Sequence, residues 1–342
     1  MPTSLLDLPS EVLDRIVELV LRYGSPAPED PLPPLQNYEP RSRQDGSCLS
    51  ADYGIYSVRY WRDQEKYHDA WLSNPLSLLL VNHRIGEVTK RRLDNALTPS
   101  VFKLDVILSD ERELHPTWCF LSNPCRHVGD LSVTFHVVGT SFTPIWRRYH
   151  LLPDGDSPPR ILWAFYYLLE RFLEVGPLAE HRIPDDAPRT DDLFFTINRL
   201  TLDFVSPARE EMLAPANLSF WSWLNGGADE DNAESHRAPC SGVFNLLMRP
   251  EWLADLISEY VGYLLGMSIP MAPYGKLLYE YVGSIRICVD GKVMKEYRLD
   301  YRLQDLNYVG LEEDYKRYWD FGRWKEKVYR MRKEAGLPVV IL

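Results

Sequence analysis

The sequence predicts an α/β protein: N-terminal helices, then an irregular strand–helix region with a mostly parallel sheet and a terminal hairpin and helix. Three observations support this. Two apolar helical segments bracket a proline-rich stretch, four later segments share a strand-like pattern, and helical periodicity lies between them. Strands that alternate with helices favour parallel pairing through crossover connections. A chain of 342 residues indicates about two domains. We therefore expect a helical module over residues 1–95 and an α/β region over 96–342.

The first helix has a recognisable start. Pro9 suits the first helical position, and Glu11 adds a favourable charge in the first turn. A surface helix normally has a single apolar face. Here the apolar residues fill too much of the circumference for one stripe; they are Val12, Leu13, Ile16, Val17, Leu19, Val20 and Leu21. The helix therefore has two faces to bury. Either it lies deep within its own domain, or one face is kept for a partner.

An insertion over about residues 23–73 separates this helix from the second one. Six prolines fall between Pro26 and Pro40, and the composition there cannot bury enough surface to offset the entropy of ordering. We expect an extended loop to about residue 52, followed by a Tyr- and Trp-rich segment that returns to the fold. The second helical segment, roughly 74–95, starts with Asn74 as cap and Pro75 at the first position. It too is apolar around most of its circumference.

Four segments carry the strand signal, which is alternation with a period of two residues. The first is 101–108. The other three, 128–135, 197–204 and 282–289, each open on an aliphatic residue and repeat apolar residues at positions four, six and eight. Their starts lie 69 and 85 residues apart, which is too long and irregular for a regular solenoid. The region is at most a degenerate leucine-rich-repeat-like array.

Helices and a hairpin complete the predicted α/β region. Helical patterns cover 161–174 and 244–265, and Asp290-Gly291 predicts a tight hairpin before a strand over 292–299. The last helix, 312–335, is basic: from 315 to 333 it has eight Lys or Arg residues against Asp320 and Glu326, a net charge of +6. It is either a capping helix, with its aromatic side inward and its basic side near the acidic segments 185–192 and 229–234, or a patch for nucleic acid or an acidic partner.

Charge and composition exclude several classes of function. The net charge of −11 repels phosphate and anionic lipid, so protein or small-molecule partners are favoured over nucleic acid. Charged residues in the first helix argue against a secretory signal. The longest uncharged apolar stretch, 260–275, is too short to span a bilayer and contains two prolines. Five scattered cysteines indicate reduced thiols. We therefore expect a protein of the cytoplasm or nucleus, or of both, without membrane contact.

No motif for catalysis, a cofactor or a metal stands out. Cys119, Cys125 and His127 lie close in sequence, but a structural zinc site needs a second ligand pair. The sequence contains no Gly-rich phosphate loop and no Gly-x-Ser-x-Gly elbow. Paired carboxylates occur in polar segments, where solvated loops are expected. We therefore expect a protein that is not an enzyme and binds no metal or cofactor. Convergent acids, histidines or arginines in a deep pocket would indicate the opposite.

Two segments resemble a known motif. Residues 5–16, Leu-Leu-Asp-Leu-Pro-Ser-Glu-Val-Leu-Asp-Arg-Ile, resemble the opening of an F-box, and residues 76–85, Leu-Ser-Leu-Leu-Leu-Val-Asn-His-Arg-Ile, resemble its second half. The order of the later elements also resembles the F-box-like proteins of filamentous fungi. An ordinary F-box is continuous, whereas about fifty residues separate the halves here. His83 stands where the family more often has arginine.

The resemblance implies a function. An F-box is a three-helix motif that docks on the Skp-type linker, a small subunit of cullin-RING ubiquitin ligases. Residues that match the docking pattern are Leu8, Pro9, Val12, Leu13, Ile16, Val17, Leu79, Leu80 and Val81. We therefore predict a non-catalytic adaptor that recruits an unknown target protein, held by the region from about residue 96 onward, to such a ligase. The main alternative is a stand-alone interaction scaffold in which the F-box remnant is buried as core.

Overall fold

The computed structural model describes residues 7–21, 78–94, 100–122, 125–140, 144–153, 158–176, 194–208, 212–226, 245–268, 271–307 and 315–340, with residues 24, 27 and 29. Almost all of the predicted insertion over 23–73 lies outside these residues. So do Asn74, Pro75 and the acidic segments 185–192 and 229–234.

Three N-terminal helices form what we term the helical module: α1 (Ser10–Leu21), α2 (Leu78–Val81) and α3 (His83–Asp94). The prediction of a single second helix over 74–95 is wrong. The helix is interrupted at Asn82, which separates α2 from α3. The Asn82 Oδ1 accepts a hydrogen bond from the Ile85 N–H at 2.9 Å and so caps α3. Asparagine favours such capping positions over helix interiors, which explains the break.

The α/β fold class predicted from the sequence is confirmed. Within the described residues, six strands form one mixed sheet in the order β2-β1-β3-β4-β5-β6. The four central strands are parallel, and the edge strands β2 and β6 are antiparallel to their neighbours. The strands are β1 (Ser100–Ser109), β2 (Glu113–Leu121), β3 (His127–Val138), β4 (Thr196–Val205), β5 (Val282–Val289) and β6 (Lys292–Arg298).

Seven helices follow β3 in the described part of the chain. They are α4 (Pro144–Leu151), α5 (Arg160–Val175), α6 (Phe220–Leu224), α7 (Pro250–Leu265), α8 (Ala272–Tyr281), α9 (Leu299–Asp305) and α10 (Tyr315–Glu334). Helix α7 begins later than the predicted 244, because Pro250 occupies its first turn and disfavours helical backbone at Arg249 before it. Leu247 instead lies in an extended bridge to Leu213.

One face of the sheet forms the main core with the helices. The alternating apolar residues that defined the strands point to this face; Phe135 of β3 stacks on Phe204 of β4 with ring centroids 4.8 Å apart. Phe102 of β1 meets Phe172 of α5 edge to face at 6.3 Å. The strand residues between these apolar ones point to the other face of the sheet. On that face a row of polar residues crosses the parallel strands: Lys103, Ser132, Thr201 and Arg286.

At the edges of the sheet, the sequence pattern predicted one feature correctly and missed another. Asp290 and Gly291 both have positive φ (49° and 74°), as the tight hairpin between β5 and β6 requires. Strand β2 was not predicted, because Pro116 cannot donate to a ladder and interrupts the strand signal. Proline is tolerated there because β2 is an edge strand, with β1 as its neighbour.

The described part of the terminal helix α10 packs with its aromatic side inward and most of its basic residues outward, an orientation that both predicted alternatives share. Phe321 and Val328 are buried, while Arg323, Lys327, Arg330 and Lys333 are exposed. The Trp324 Nε1 donates to the Glu280 carboxylate at 2.7 Å. One basic residue departs from the expected pattern, because Arg332 is fully buried. None of the described helices is long and apolar enough to cross a membrane.

Candidate functional site

The helical module has a small apolar core of its own. Leu13 and Val17 of α1 pack against Ile85 and Val88 of α3, and all four side chains are buried. Leu21 and Leu78 pack at the margin of this cluster. The two halves of the F-box-like pattern therefore meet in space, although 56 residues separate α1 from α2. Their contact is made by one apolar stripe on each helix.

Polar contacts fix the direction of α1 against α3. The Arg84 guanidinium donates to the Leu8 carbonyl at 3.1 Å, near the start of both helices. Farther along both helices, the Arg92 guanidinium of α3 makes two hydrogen bonds to the carboxylate of Asp14, in the first half of α1. This bonding lowers the pKa of Asp14. Because Leu8 precedes Asp14 and Arg84 precedes Arg92, the two contacts follow the same order along both helices, which therefore run in the same general direction.

A second apolar stripe of α1 faces away from this core. We call Val12, Ile16 and Leu19 the outward stripe; at spacings of four and three residues they share one side of the helix. Val12 is 44% exposed and Leu19 is 56% exposed, while Ile16 is half-buried. Val81 on α2 adds another exposed aliphatic side chain at 58%. Helix α1 is therefore not buried on all sides within its own domain, and part of its apolar surface is exposed.

The structure divides the predicted docking residues into three groups. Pro9, Val12 and Val81 are exposed, and Leu8 and Ile16 are half-buried. Leu13 and Val17 are not at the surface, because they form the contact between α1 and α3. Leu79 and Leu80 belong to α2, but their side chains lie outside the described part of the structure. Leu19 was not among the predicted docking residues, although its spacing from Val12 and Ile16 was a signal for it.

A second cluster of polar side chains lies on the face of the sheet opposite the helices. The His136 Nε2 lies 2.6 Å from the Asp105 carboxylate on the neighbouring strand. Burial and the nearby Asp105 charge raise the pKa of the Cys119 thiol to about 11. A thiol with such a pKa stays protonated near neutral pH and is not an activated nucleophile. Sequence reasoning missed this cluster because the residues meet only through strand register.

A third polar cluster lies at the carboxyl end of the parallel strands. Glu111, in the turn after β1, and Arg147, in α4, are fully buried and 3.6 Å apart. His150 is buried on the same side of α4. Burial, followed by the charges of Arg112 and Arg160, lowers the pKa of His150 to about 4; the charge of Glu113 acts in the opposite direction. Among the described residues, no group of three or more His, Cys, Asp or Glu side chains is placed to hold a metal ion.

The burial of His150 predicts a pH-dependent stability. Between about pH 6.5 and about pH 4 the unfolded chain binds a proton at this residue and the folded protein does not, so acid favours unfolding. We expect the free energy of unfolding to fall by up to about 3 kcal/mol as the pH drops through this range. Urea denaturation of the wild type and of His150→Gln across the range measures it. The variant should lose much of the slope, and an unchanged slope would contradict the assignment.

Comparison with known proteins yields no match: no family model matches the chain, and neither a curated protein nor a solved structure does.

Proposed function

We propose that this protein is a non-catalytic F-box-like adaptor, which docks on a Skp-type linker through the helical module and holds a target protein with the α/β region. The outward stripe of α1 carries the proposal. Helix α1 uses one apolar stripe to pack on α3 and still has Val12 and Leu19 in solvent. A helix face of this kind is suited to helix-in-groove binding.

The packing of α1 on α3 supports the proposal in a second way. The F-box-like pattern is divided by the long insertion, yet Leu13, Val17, Ile85 and Val88 assemble one core from both halves. Together with the hydrogen bonds from Arg84 to the Leu8 carbonyl and from Arg92 to the Asp14 carboxylate, this core holds α1 in place. The outward stripe is therefore presented on a supported helix, so little ordering is needed upon binding.

The test is binding of a purified Skp-type linker to the full-length protein, measured by calorimetry. We expect a complex with the wild type and a loss of affinity on the order of tenfold or more for Val12→Asp/Leu19→Asp, since each change places a charge in the apolar interface. The thermal unfolding of this variant should match that of the wild type because both positions are exposed. Val293→Asp changes an exposed valine on β6 and serves as the matched control.

Two results would count against the adaptor. One is the absence of a complex with the intact protein, and the other is a complex that Val12→Asp/Leu19→Asp leaves unchanged. Either would favour a stand-alone scaffold, in which the module serves only as structure. Leu13→Asp does not distinguish the two functions, because a charge at this fully buried position disrupts the module under both.

A further inference from the structure

The two edge strands of the sheet differ in how far they are covered. None of the nine residues of β2 is exposed, whereas six of the seven residues of β6 are exposed. Pro116 of β2 has no N–H to donate. The backbone of Gly24 also lies against β2, since a Cβ added at Gly24 would come within 3.0 Å of the Cys119 carbonyl oxygen. The edge at β2 is therefore poorly suited to accept another strand, and the edge at β6 is the open one.

The outer side of β6 has unused backbone groups. Strand β6 ends the sheet, and within the described residues no strand pairs with its outer side. Helix α9 follows β6 directly but turns back onto the helix-covered face, where Leu299 and Leu303 are buried in the main core. An edge strand of this kind presents a row of N–H and C=O groups that point away from the sheet. Another extended backbone offers donors and acceptors at the matching spacing, and β6 contains no proline that would interrupt the row.

Strand β6 is held in place although it is exposed. The Tyr297 side chain is buried, and its hydroxyl donates to the Ser258 carbonyl of α7 at 2.6 Å. Glu296, the residue before it, points to the other face of the sheet, where its carboxylate accepts from the Arg286 guanidinium of β5 at 3.0 Å. The strand is therefore fixed from both faces. A partner would meet a preformed edge, so little ordering of β6 would be needed upon binding.

Exposed apolar side chains lie along the same edge. Val293 and Met294 of β6 are 55% and 47% exposed. Tyr301 at the start of α9 is 49% exposed, and its ring lies 4.5 Å from the guanidinium of Arg298, the last residue of β6. When a peptide adds a strand to a sheet, main-chain hydrogen bonds supply affinity and side-chain contacts supply specificity. Both kinds of contact are available at β6.

The charges of β6 disfavour pairing with a second copy of this chain. Lys292, Lys295 and Arg298 recur every three residues along the strand. Two antiparallel β6 strands in full overlap would place Lys295 opposite Lys295 and Lys292 opposite Arg298. Like charges directly opposite each other destabilise a strand pair, and lysine at an edge is a common protection against self-association. The lysines leave the backbone groups of β6 available to a strand of a different protein.

We propose that the outer edge of β6 binds an extended segment of a different protein by β-augmentation, so that the segment joins the sheet as a further strand. The segment pairs its main chain with β6, has no proline at the paired positions, and places apolar side chains against Val293, Met294 and Tyr301. The inference rests on the proposed function, since the segment would belong to the target protein while the helical module docks on the linker.

The test uses phage-displayed random linear peptides, selected on the full-length protein in the presence of excess Val293→Asp/Met294→Asp protein as competitor. The enriched peptides are synthesised, and their affinity is measured by fluorescence polarisation. Val293→Asp/Met294→Asp should weaken their binding on the order of tenfold or more, because it places two charges in the apolar contact. Both positions are exposed, so the fold stays intact. Ile145→Asp changes an exposed aliphatic residue on α4 and is the matched control that should retain binding.

Two further measurements test the main-chain pairing itself. Methylation of single backbone nitrogens in the peptide should weaken binding on the order of tenfold at alternate positions and have little effect between them, because alternate N–H groups of a strand point to opposite sides. Hydrogen exchange followed by mass spectrometry should show slower exchange of the β6 amides in the complex.

Three outcomes would overturn the proposal: no peptide that prefers the wild type to Val293→Asp/Met294→Asp, methylation without an alternating effect, or binding that leaves the exchange of β6 unchanged. A concentration-dependent dimer in sedimentation experiments, lost in the same variant, would assign the edge to a second copy of this chain and also overturn it. The linker assay separates this inference from the adaptor function. Val293→Asp/Met294→Asp should bind the linker normally, and Val12→Asp/Leu19→Asp should bind the peptides normally.

Discussion

Replacing Arg332 by methionine should lower the free energy of unfolding by about 3–5 kcal/mol, because the change leaves buried carbonyls without their donor. The Arg332 guanidinium is fully buried and donates to three backbone carbonyls, those of Tyr279 at 2.6 Å, Val282 at 2.8 Å and Pro338 at 2.9 Å. It thereby joins α10 and the segment after it to the junction of α8 and β5. Burial lowers its pKa to about 10, so the group remains charged near neutral pH.

Urea denaturation measures this effect, and the same helix provides the control. Arg330→Met removes an equal charge from an exposed position and should change stability by no more than about 0.5 kcal/mol. Arg332→Lys should recover part of the loss, since one ammonium cannot reach every acceptor. Equal stabilities for Arg332→Met and Arg330→Met would show that the carbonyl contacts contribute nothing.

Replacing Arg147 by methionine should also be strongly destabilising, by about 3–5 kcal/mol, because it leaves the buried Glu111 carboxylate without the positive charge beside it. Arg148→Met, one residue later at an exposed position on α4, is the matched control and should have little effect. Both variants are compared with the wild type by urea denaturation. A small loss for Arg147→Met would mean that this ion pair does not stabilise the packing of α4.

A double-mutant cycle separates the ion pair from the rest of the packing. Glu111→Gln/Arg147→Met should lose less stability than the two single variants combined, since the glutamine is neutral and no isolated charge stays buried. Additive losses would indicate that Arg147 acts through Trp223 alone, over whose ring its guanidinium lies.

The local sequence pattern was sufficient to predict most strands of the sheet. Strand β5 has the bounds that the alternation predicted, Val282–Val289, and the Asp290-Gly291 turn lies where a tight hairpin requires positive φ. These features are determined by residues that are close together in the chain, so they can be predicted from a single sequence. Strand β2 depends on its place at an edge, which decides whether Pro116 is tolerated. That place is a property of the whole sheet, and the sequence pattern did not reveal it.

The polar clusters needed the tertiary structure for a different reason. Asp105 and His136 lie 31 residues apart in the chain and come within 2.6 Å because β1 and β3 are parallel neighbours. Glu111 and Arg147 meet in a similar way, from a turn and a later helix. Period alone indicates which residues share a face. It does not indicate which face of one helix or strand packs against which face of another.

The two apolar stripes of α1 and the alternation of strands with helices in the later region were predictable from the amino-acid sequence, because both are short-range periodicities. The three-dimensional packing was needed to show that Leu13 and Val17 face inward and that Val12 and Leu19 remain in solvent. It was likewise needed to show that α4 buries Arg147 and exposes Ile145. The physical reason is that burial depends on partners elsewhere in the chain: Ile85 and Val88 for α1, and Glu111 and Trp223 for α4.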